Sequence, residues 1–466
     1  MRRVAILGGG ISGLAAAFRL RELARQHSTE LELAVYERSA GVGGCVRTLY
    51  EDGLVLELGP DSLLVDKPRA ADLLRRLHLE DRIVDMRAEF KGARIVHNGR
   101  LHRIPPDFRL FTPTSLPALL ASGIFSPLGL ARAAMEPLIP KRKGIGDESL
   151  ASFVTRRFGR EVLDRLAQPL IGGIYSGDPQ RLSMRATLPQ FLDLEQRYGS
   201  LLRAMQSANS RVAAPRLASL QDGTGSIIEA LRAQIGEAIR TSAEVVQLRR
   251  ESEVWTIGFA DGTSAQANAV ICALPAYAAA ALLREQEPRA AELLDGIRYN
   301  SIATVNLAYD ANAAAQLPRS TGFVVPFVEE RRITAATFTT QKYPHRSPEG
   351  VVLARAFIGG ALQPQLLDYS DDEIARIAHE ELTLLAGITA KPKRALVTRW
   401  DRLLPEYGVG HVERVREIER RTFGIGGLTL AGSAYRGVGI PDCVQTGEAG
   451  AESAFGYIRA QEREGS

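Results

Sequence analysis

Near the start of the chain, "GGGISG" spaces Gly8, Gly10 and Gly13 as GxGxxG, with Gly9, Ile11 and Ser12 completing the loop. That spacing suits a dinucleotide pyrophosphate. The first glycine makes a tight turn, the second lets the phosphates reach the backbone, and the third lets a helix pack close to a strand. The helix N-terminus adds partial positive charge facing the anion. Glu37 follows 24 residues after Gly13, where a carboxylate accepts hydrogen bonds from ribose hydroxyls, with Arg38 beside it. A second glycine pair, Gly43–Gly44, comes next, then Cys45, and "ELGPDS" adds Gly59, Pro60, Asp61 and Ser62. A plain NAD site has no use for that second pair. An extended FAD does, because the cofactor runs on past its own pyrophosphate. The cofactor indicated is FAD, bound non-covalently.

The elements around these residues read as their supports. "RRVAILGGGISGLAAAFRLREL" is an aliphatic strand (Val4–Leu7), a glycine turn and an alanine-rich helix, and "LELAVYE" (31–37) is a second strand. Together they make a βαβ unit. Residues 144–210 have capped helical periodicity, and 244–275 reads as strands joined at an Asp261–Gly262 turn, closing on the apolar "AVICAL". Residues 297–400 mix strand and helix. The chain closes on a strand, a glycine loop containing Gly432, Gly437, Val438, Gly439 and Ile440, and a helix. Two glycines two apart so close to the C-terminus predict that something approaches the backbone there.

Composition excludes several classes. Hydrophobic residues make up 45% and charged residues 24%, as in soluble globular proteins, and a net charge of +4 is too small to argue for nucleic acid. Three scattered cysteines suggest a reducing compartment, and no metal site is expected from the seven dispersed histidines. No signal-peptide pattern precedes the first strand, and no GxSxG occurs. Residues 110–131 carry no charge, but Pro113, Pro117 and Pro127 break the run, so short apolar helices on a membrane or in a core fit better than a span.

The second glycine pair resembles that of the FAD-dependent amine oxidase superfamily, whose C-terminal strand, glycine loop and helix return to the flavin. Several stretches resemble one branch of it, the protoporphyrinogen/coproporphyrinogen oxidases of haem synthesis. They are "GGGISGLAAAFRL", "ELGPDSLL", "DESLASFVTRRFG", "QPLIGGIYSGDPQRLSM", "RWDRLLPEYGVGHVERV" and "GVGIPDC". They cover essentially the whole chain in order, and "GIPDC" is more like the bacterial coproporphyrinogen oxidases than the mitochondrial enzymes. One departure stands out: Gln445-Thr446-Gly447 follows the closing loop, not the Ser-Gly of amine oxidases.

The resemblance implies an α/β fold with a doubly wound FAD-binding domain, discontinuous in sequence. Its segments would be 1–89, 216–290 and 401–466, with a helical substrate- or membrane-facing domain at 90–215 and a sheet-rich α+β substrate domain at 291–400. It also places Val245 near the adenine, Trp400 near the isoalloxazine, and Gly437 and Gly439 against the flavin. The implied substrate is a porphyrinogen, with dioxygen as oxidant and hydrogen peroxide as product. No side chain is assigned as an essential acid or base, since the hydride leaves for flavin N5. Arg94, in "KGARIVHNGRLHRIP", is expected to meet a propionate, and Gly173 to let the main chain approach the macrocycle. A cytoplasmic protein with peripheral contact on the inner membrane face, handing its product to the next haem-pathway enzyme, completes the expectation. A flavin amine oxidase or carotenoid-type desaturase on the same fold is the alternative enzyme, and a prenyl-protein escort protein without flavin the non-enzymatic one.

Overall fold

The computed structural model describes residues 2–90, 92–104, 108–113, 117, 120, 123–144, 146–207, 216–314 and 317–464. A five-stranded parallel sheet forms its first layer, in the order Ile239–Arg240, Leu31–Tyr36, Arg2–Leu7, Ala269–Cys272, Leu428–Leu430. Both faces are covered, which explains the unbroken apolar runs of its central strands. Val4, Ile6, Ala269 and Ile271 face a core shared with helices Ile11–Gln26 and Ile440–Glu464. Ala5, Leu7, Val270 and Cys272 face the other way, onto Trp255 and Ile257 of a small antiparallel sheet and onto helix Ala276–Leu283. The Asp261–Gly262 turn lies in that small sheet, between strands Val254–Phe259 and Ser264–Ala267.

A seven-stranded sheet forms the second body, in the order Arg394–Glu406, Arg298–Asp310, Val351–Gly359, Ala335–Thr337, Gly322–Val324, Ala93–His97, Arg100–Arg103. One face packs Val305, Leu307, Ala354 and Ala356 against helix Asp371–Ala386. The opposite face packs Ala308 and Leu353 against Leu54 and Leu56 of the hairpin Thr48–Glu51/Leu54–Glu57, which follows the second glycine pair. Residues 93–103 therefore belong to this sheet and not to the helical segment that the sequence suggested, and the last-numbered strand runs past 400 to Glu406. Strand pairing decided this, since Ala93–His97 finds a partner in Gly322–Val324, more than 200 residues away.

The helical body holds Pro127–Ala134, Leu150–Phe158, Gln168–Tyr175 and Pro189–Tyr198 around Phe111, Phe153, Phe158 and Phe191. Fully buried Arg157 ties it together. Its guanidinium pairs with Glu136 and Glu195 and donates to the carbonyls of Ile139 and Gly199. Removing one partner of such a buried pair costs about 3–5 kcal/mol, because the other charge is left uncompensated. A π-turn at Leu163–Ala167 precedes the helix carrying Gly173. In the charge-free run, residues 114–116, 118–119 and 121–122 lie outside the described residues; Ile124 is core, whereas Leu120 is 63% exposed. Among the described residues no helix is long and apolar enough to cross a membrane.

Candidate flavin site

The opening strand delivers Gly8 into a turn with φ +104°, its N–H donating to the Tyr36 carbonyl at 2.8 Å. A Cβ on Gly8 would stand 2.8 Å from the Ala273 carbonyl oxygen, and one on Gly13 only 1.9 Å from that of Gly8. Both glycines are needed for packing of the protein on itself. Gly10 differs. It caps helix Ile11–Gln26 without a side-chain acceptor, and a Cβ there would meet no protein atom within 4 Å. Helix-start N–H groups lack intrahelical acceptors, so the open side of Gly10 is a place for an anion. Ile11 and Ser12 are buried behind it.

Glu37 supports this loop. It accepts the N–H of Gly9 at 2.8 Å and of Ser39 at 2.9 Å, while Arg38 is exposed. The Glu37 carbonyl accepts the Ala243 N–H at 2.8 Å, which brings Val245, two residues on, to the same end of the site. Gly43 donates to the Gly9 carbonyl at 2.8 Å and bridges to Gly10, and a Cβ on Gly44 would lie 3.5 Å from the Gly10 Cα. The two glycine loops thus form one cradle. Past it, a Cβ on Gly59 would sit 1.9 Å from the Cys45 carbonyl, so this glycine exists for backbone packing. Burial pushes the free Cys45 thiol up in pKa, away from the thiolate that a covalent flavin link would use.

The segment around Gly59 is clamped by the seven-stranded sheet. Leu58 accepts from Trp400 Nε1 and Thr304 Oγ1, both at 2.9 Å. Arg355 donates to the Glu57 and Gly59 carbonyls at 3.1 and 2.7 Å, and Asn306 to Glu57 at 3.1 Å. Asp61 and Ser62, read from the sequence as cofactor contacts, turn their side chains to Lys342 and Tyr343. Burial would raise the Asp61 carboxyl, but Lys342 and Arg355 outweigh it and hold it well below the usual carboxylate range. The Pro60 carbonyl accepts from Thr224 Oγ1 at 2.8 Å.

At the closing loop, Gly432 has φ +124° and an open Cβ direction, with its N–H donated to Thr446 Oγ1 at 3.0 Å. Gly437 is different again. A Cβ there would lie 2.4 Å from Asp442 Cγ, and one on Gly439 3.2 Å from Asp442 Oδ2. A Cβ on either glycine therefore meets the chain's own carboxylate, which Lys67 holds at 2.6 Å. Tyr407 fixes the loop by donating to the Ser433 carbonyl and accepting the Gly437 N–H at 2.8 Å. His411 stacks on it at 4.1 Å, and burial lowers the imidazole pKa to about 4. Val438 is half-buried and Ile440 buried.

A family profile described as "Flavin containing amine oxidoreductase" matches residues 11–454. The chain belongs to that family. It is 34% identical to the coproporphyrinogen III oxidase of Bacillus subtilis, with 98% of each chain covered, and 30% identical to that of Staphylococcus aureus, covering 98% of this chain and 100% of the relative. Among solved structures it resembles one from Exiguobacterium sp. 255-15, named as a candidate protoporphyrinogen oxidase. The TM-score is 0.85, with 31% identity, 97% of this chain covered and 98% of that one. Putrescine oxidase, at 16% identity and TM-score 0.71, shares the fold.

The residues fit the family's flavin in its FAD form. The Gly10–Gly44 cradle would take the pyrophosphate, with Glu37 and Val245 at one end and Trp400 with the Gly59 segment at the other. Gly173 is exposed, and a Cβ there would meet no protein atom within 4 Å. Arg94 does not fit. It pairs in register with Phe323, whose side chain lies in the core under helix Asp371–Ala386, and with Arg103. Paired residues share a sheet face. Arg94 is therefore on the face opposite Thr304, Asn306 and Arg355, away from the cofactor loops. The sequence reading missed Arg355, Thr304 and Asn306. Their signal was present as polar residues at alternate positions of apolar strands, "SIATVNLAYD" and "VVLARAFIGG".

Proposed function

We propose that this protein oxidises a porphyrinogen, coproporphyrinogen III in preference to protoporphyrinogen IX, to the porphyrin in haem synthesis. The observation that carries the reading is an intact dinucleotide cradle, open at Gly10, in a chain similar end to end to coproporphyrinogen III oxidases. Bound FAD supplies the redox chemistry, accepting two electrons at a time as hydride from carbon and returning them to dioxygen. Removing six hydrogens takes three rounds, so three dioxygen molecules become three hydrogen peroxide. The chain contributes binding and orientation: a helix N-terminus for the diphosphate, Glu37 for the ribose, and a clamp from Trp400 and Arg355 that fixes the Gly59 segment. The test compares both porphyrinogens under air, following porphyrin fluorescence and peroxide. Three peroxide per coproporphyrin is expected. A yellow protein that oxidises neither overturns the reading.

The finer parts concern location. Leu128 on helix Pro127–Ala134, Met135 at its end and Leu138 in the following turn are 83%, 50% and 73% exposed, and exposed Lys141 and Lys143 come next. Apolar residues beside lysines suit a peripheral contact with an anionic membrane surface, on the cytoplasmic side, from which the porphyrin passes to the next enzyme of the pathway. Leu128→Asp with Leu138→Asp should lower sedimentation with anionic vesicles. Unchanged sedimentation of the folded variant removes the membrane contact.

A further inference from the structure

With Arg94 on the far face, the carboxylates of the proposed substrate need another cation. Strand Arg394–Glu406 carries three arginines. Arg394 pairs with Glu51 and Arg399 with Asp371. Among the described residues no carboxylate pairs with Arg402.

The backbone is shaped to present it. Trp400 pairs with Ile302 and Leu404 with Asn300, so residues 401–403 bulge against the single Ser301. At the apex Arg402 has φ +47°, a left-handed conformation uncommon for a bulky side chain, and its N–H donates to Ser301 Oγ at 2.9 Å. Such outliers persist where the surroundings enforce them, and bulges of this kind re-aim a side chain. The guanidinium lies 3.9 Å over the Tyr277 ring. Tyr277 stands edge-on to Tyr299 at 5.1 Å, and the Tyr299 hydroxyl accepts the Ala276 N–H at 2.8 Å, so the platform is itself fixed. Stacking uses the guanidinium face and leaves its in-plane N–H donors free for a bidentate carboxylate. The bulge also adjoins the Trp400 end of the site and the helix carrying Gly173. Trp400 is two residues away, and Gly360 and Ala361 join the Ser301 carbonyl to that of Ser176, which ends the Gly173 helix.

We propose that Arg402 anchors a propionate carboxylate of the substrate, an inference that rests on the porphyrinogen reading above. It sets binding and takes no part in hydride transfer. The side chain stands on the bulge of the substrate sheet and against Tyr277 of the cofactor domain, so one propionate would fix the macrocycle against both.

Coproporphyrinogen III and its tetramethyl ester, tested with wild type, Arg402→Gly and Arg402→Lys holoenzymes, decide this. Glycine suits the left-handed backbone, so Arg402→Gly removes the guanidinium without adding strain. Its KM for the tetra-acid should rise about 5- to 150-fold while kcat changes less than about twofold, since the contact binds ground and transition states alike. The ester's KM should be unchanged, and Arg402→Lys should recover part of the loss. An unaltered KM for the acid, or equal losses for acid and ester, overturns the anchor. So does a fall in FAD content, which would assign the cation to the cofactor's phosphates. Wild-type inactivity towards both compounds overturns the porphyrinogen reading and this inference with it; wild-type activity with an unchanged Arg402→Gly KM overturns the inference alone.

Discussion

Gly10 and Gly437 sit in loops at opposite ends of the chain, and both lack a side chain beside the candidate cofactor site. At Gly10 the missing Cβ would point into space that no protein atom occupies. At Gly437 it would run into the Asp442 carboxylate, which Lys67 neutralises. Gly13 and Gly59 form a third case, where the neighbour is a backbone carbonyl at 1.9 Å. A close-approach glycine thus marks crowding, and only the fold says whether a ligand, a side chain or the backbone is the crowding partner.

The strongest way to break this contrast is to fill the tightest position. Gly13→Ala puts a methyl against the Gly8 carbonyl, where backbone has to move, and soluble yield and melting temperature should fall sharply. A variant melting within about 2 °C of wild type would refute the packing role. Gly10→Val should do the reverse. The apo-protein should melt within about 2 °C of wild-type apo-protein, while FAD binds at least about 100-fold more weakly, read by flavin absorbance after gel filtration. If both variants lose stability alike, the two glycines do the same job and the distinction fails.

The closing loop offers two smaller effects. His411, buried under Tyr407, has its pKa lowered to about 4 by burial, against about 6.5 when unfolded. The unfolded state therefore binds the proton first. The stabilisation is complete above pH 6.5 and is lost as pH falls towards 4, about 3 kcal/mol in all. Denaturant unfolding from pH 7 to 4.5 should show a shallower decline in His411→Asn than in wild type; parallel curves would remove His411 as the cause. Last, Gly437→Ala should cost about 1–3 kcal/mol through strain at φ +149° and contact with Asp442. Adding Asp442→Ala should restore at least half of that. A loss of flavin without a loss of stability would instead put the cofactor where Asp442 now stands.

Much of the frame was legible in the sequence because its signals are local. Period-two and helical patterns around Gly8–Gly13, the apolar "AVIC" strand and the terminal strand–loop–helix needed only nearby residues to be read. Arg94 was misread for want of long-range information. Whether it faces the site depends on pairing with Phe323, and a shift of one residue reverses the face. Arg402 went unnoticed because its bulge exists only through the register with residues 300–302.

By itself, then, the sequence determined the dinucleotide loop, the parallel core strands and the kind of cofactor, since these rest on backbone geometry written into glycine spacing and on continuous apolar runs. The tertiary structure alone decided which glycines face the protein itself, which sheet claims residues 93–103, and that the register bulge presents Arg402 on the Tyr277 ring. Those outcomes depend on contacts between segments hundreds of residues apart, and no local pattern records which face of a strand will meet which neighbour.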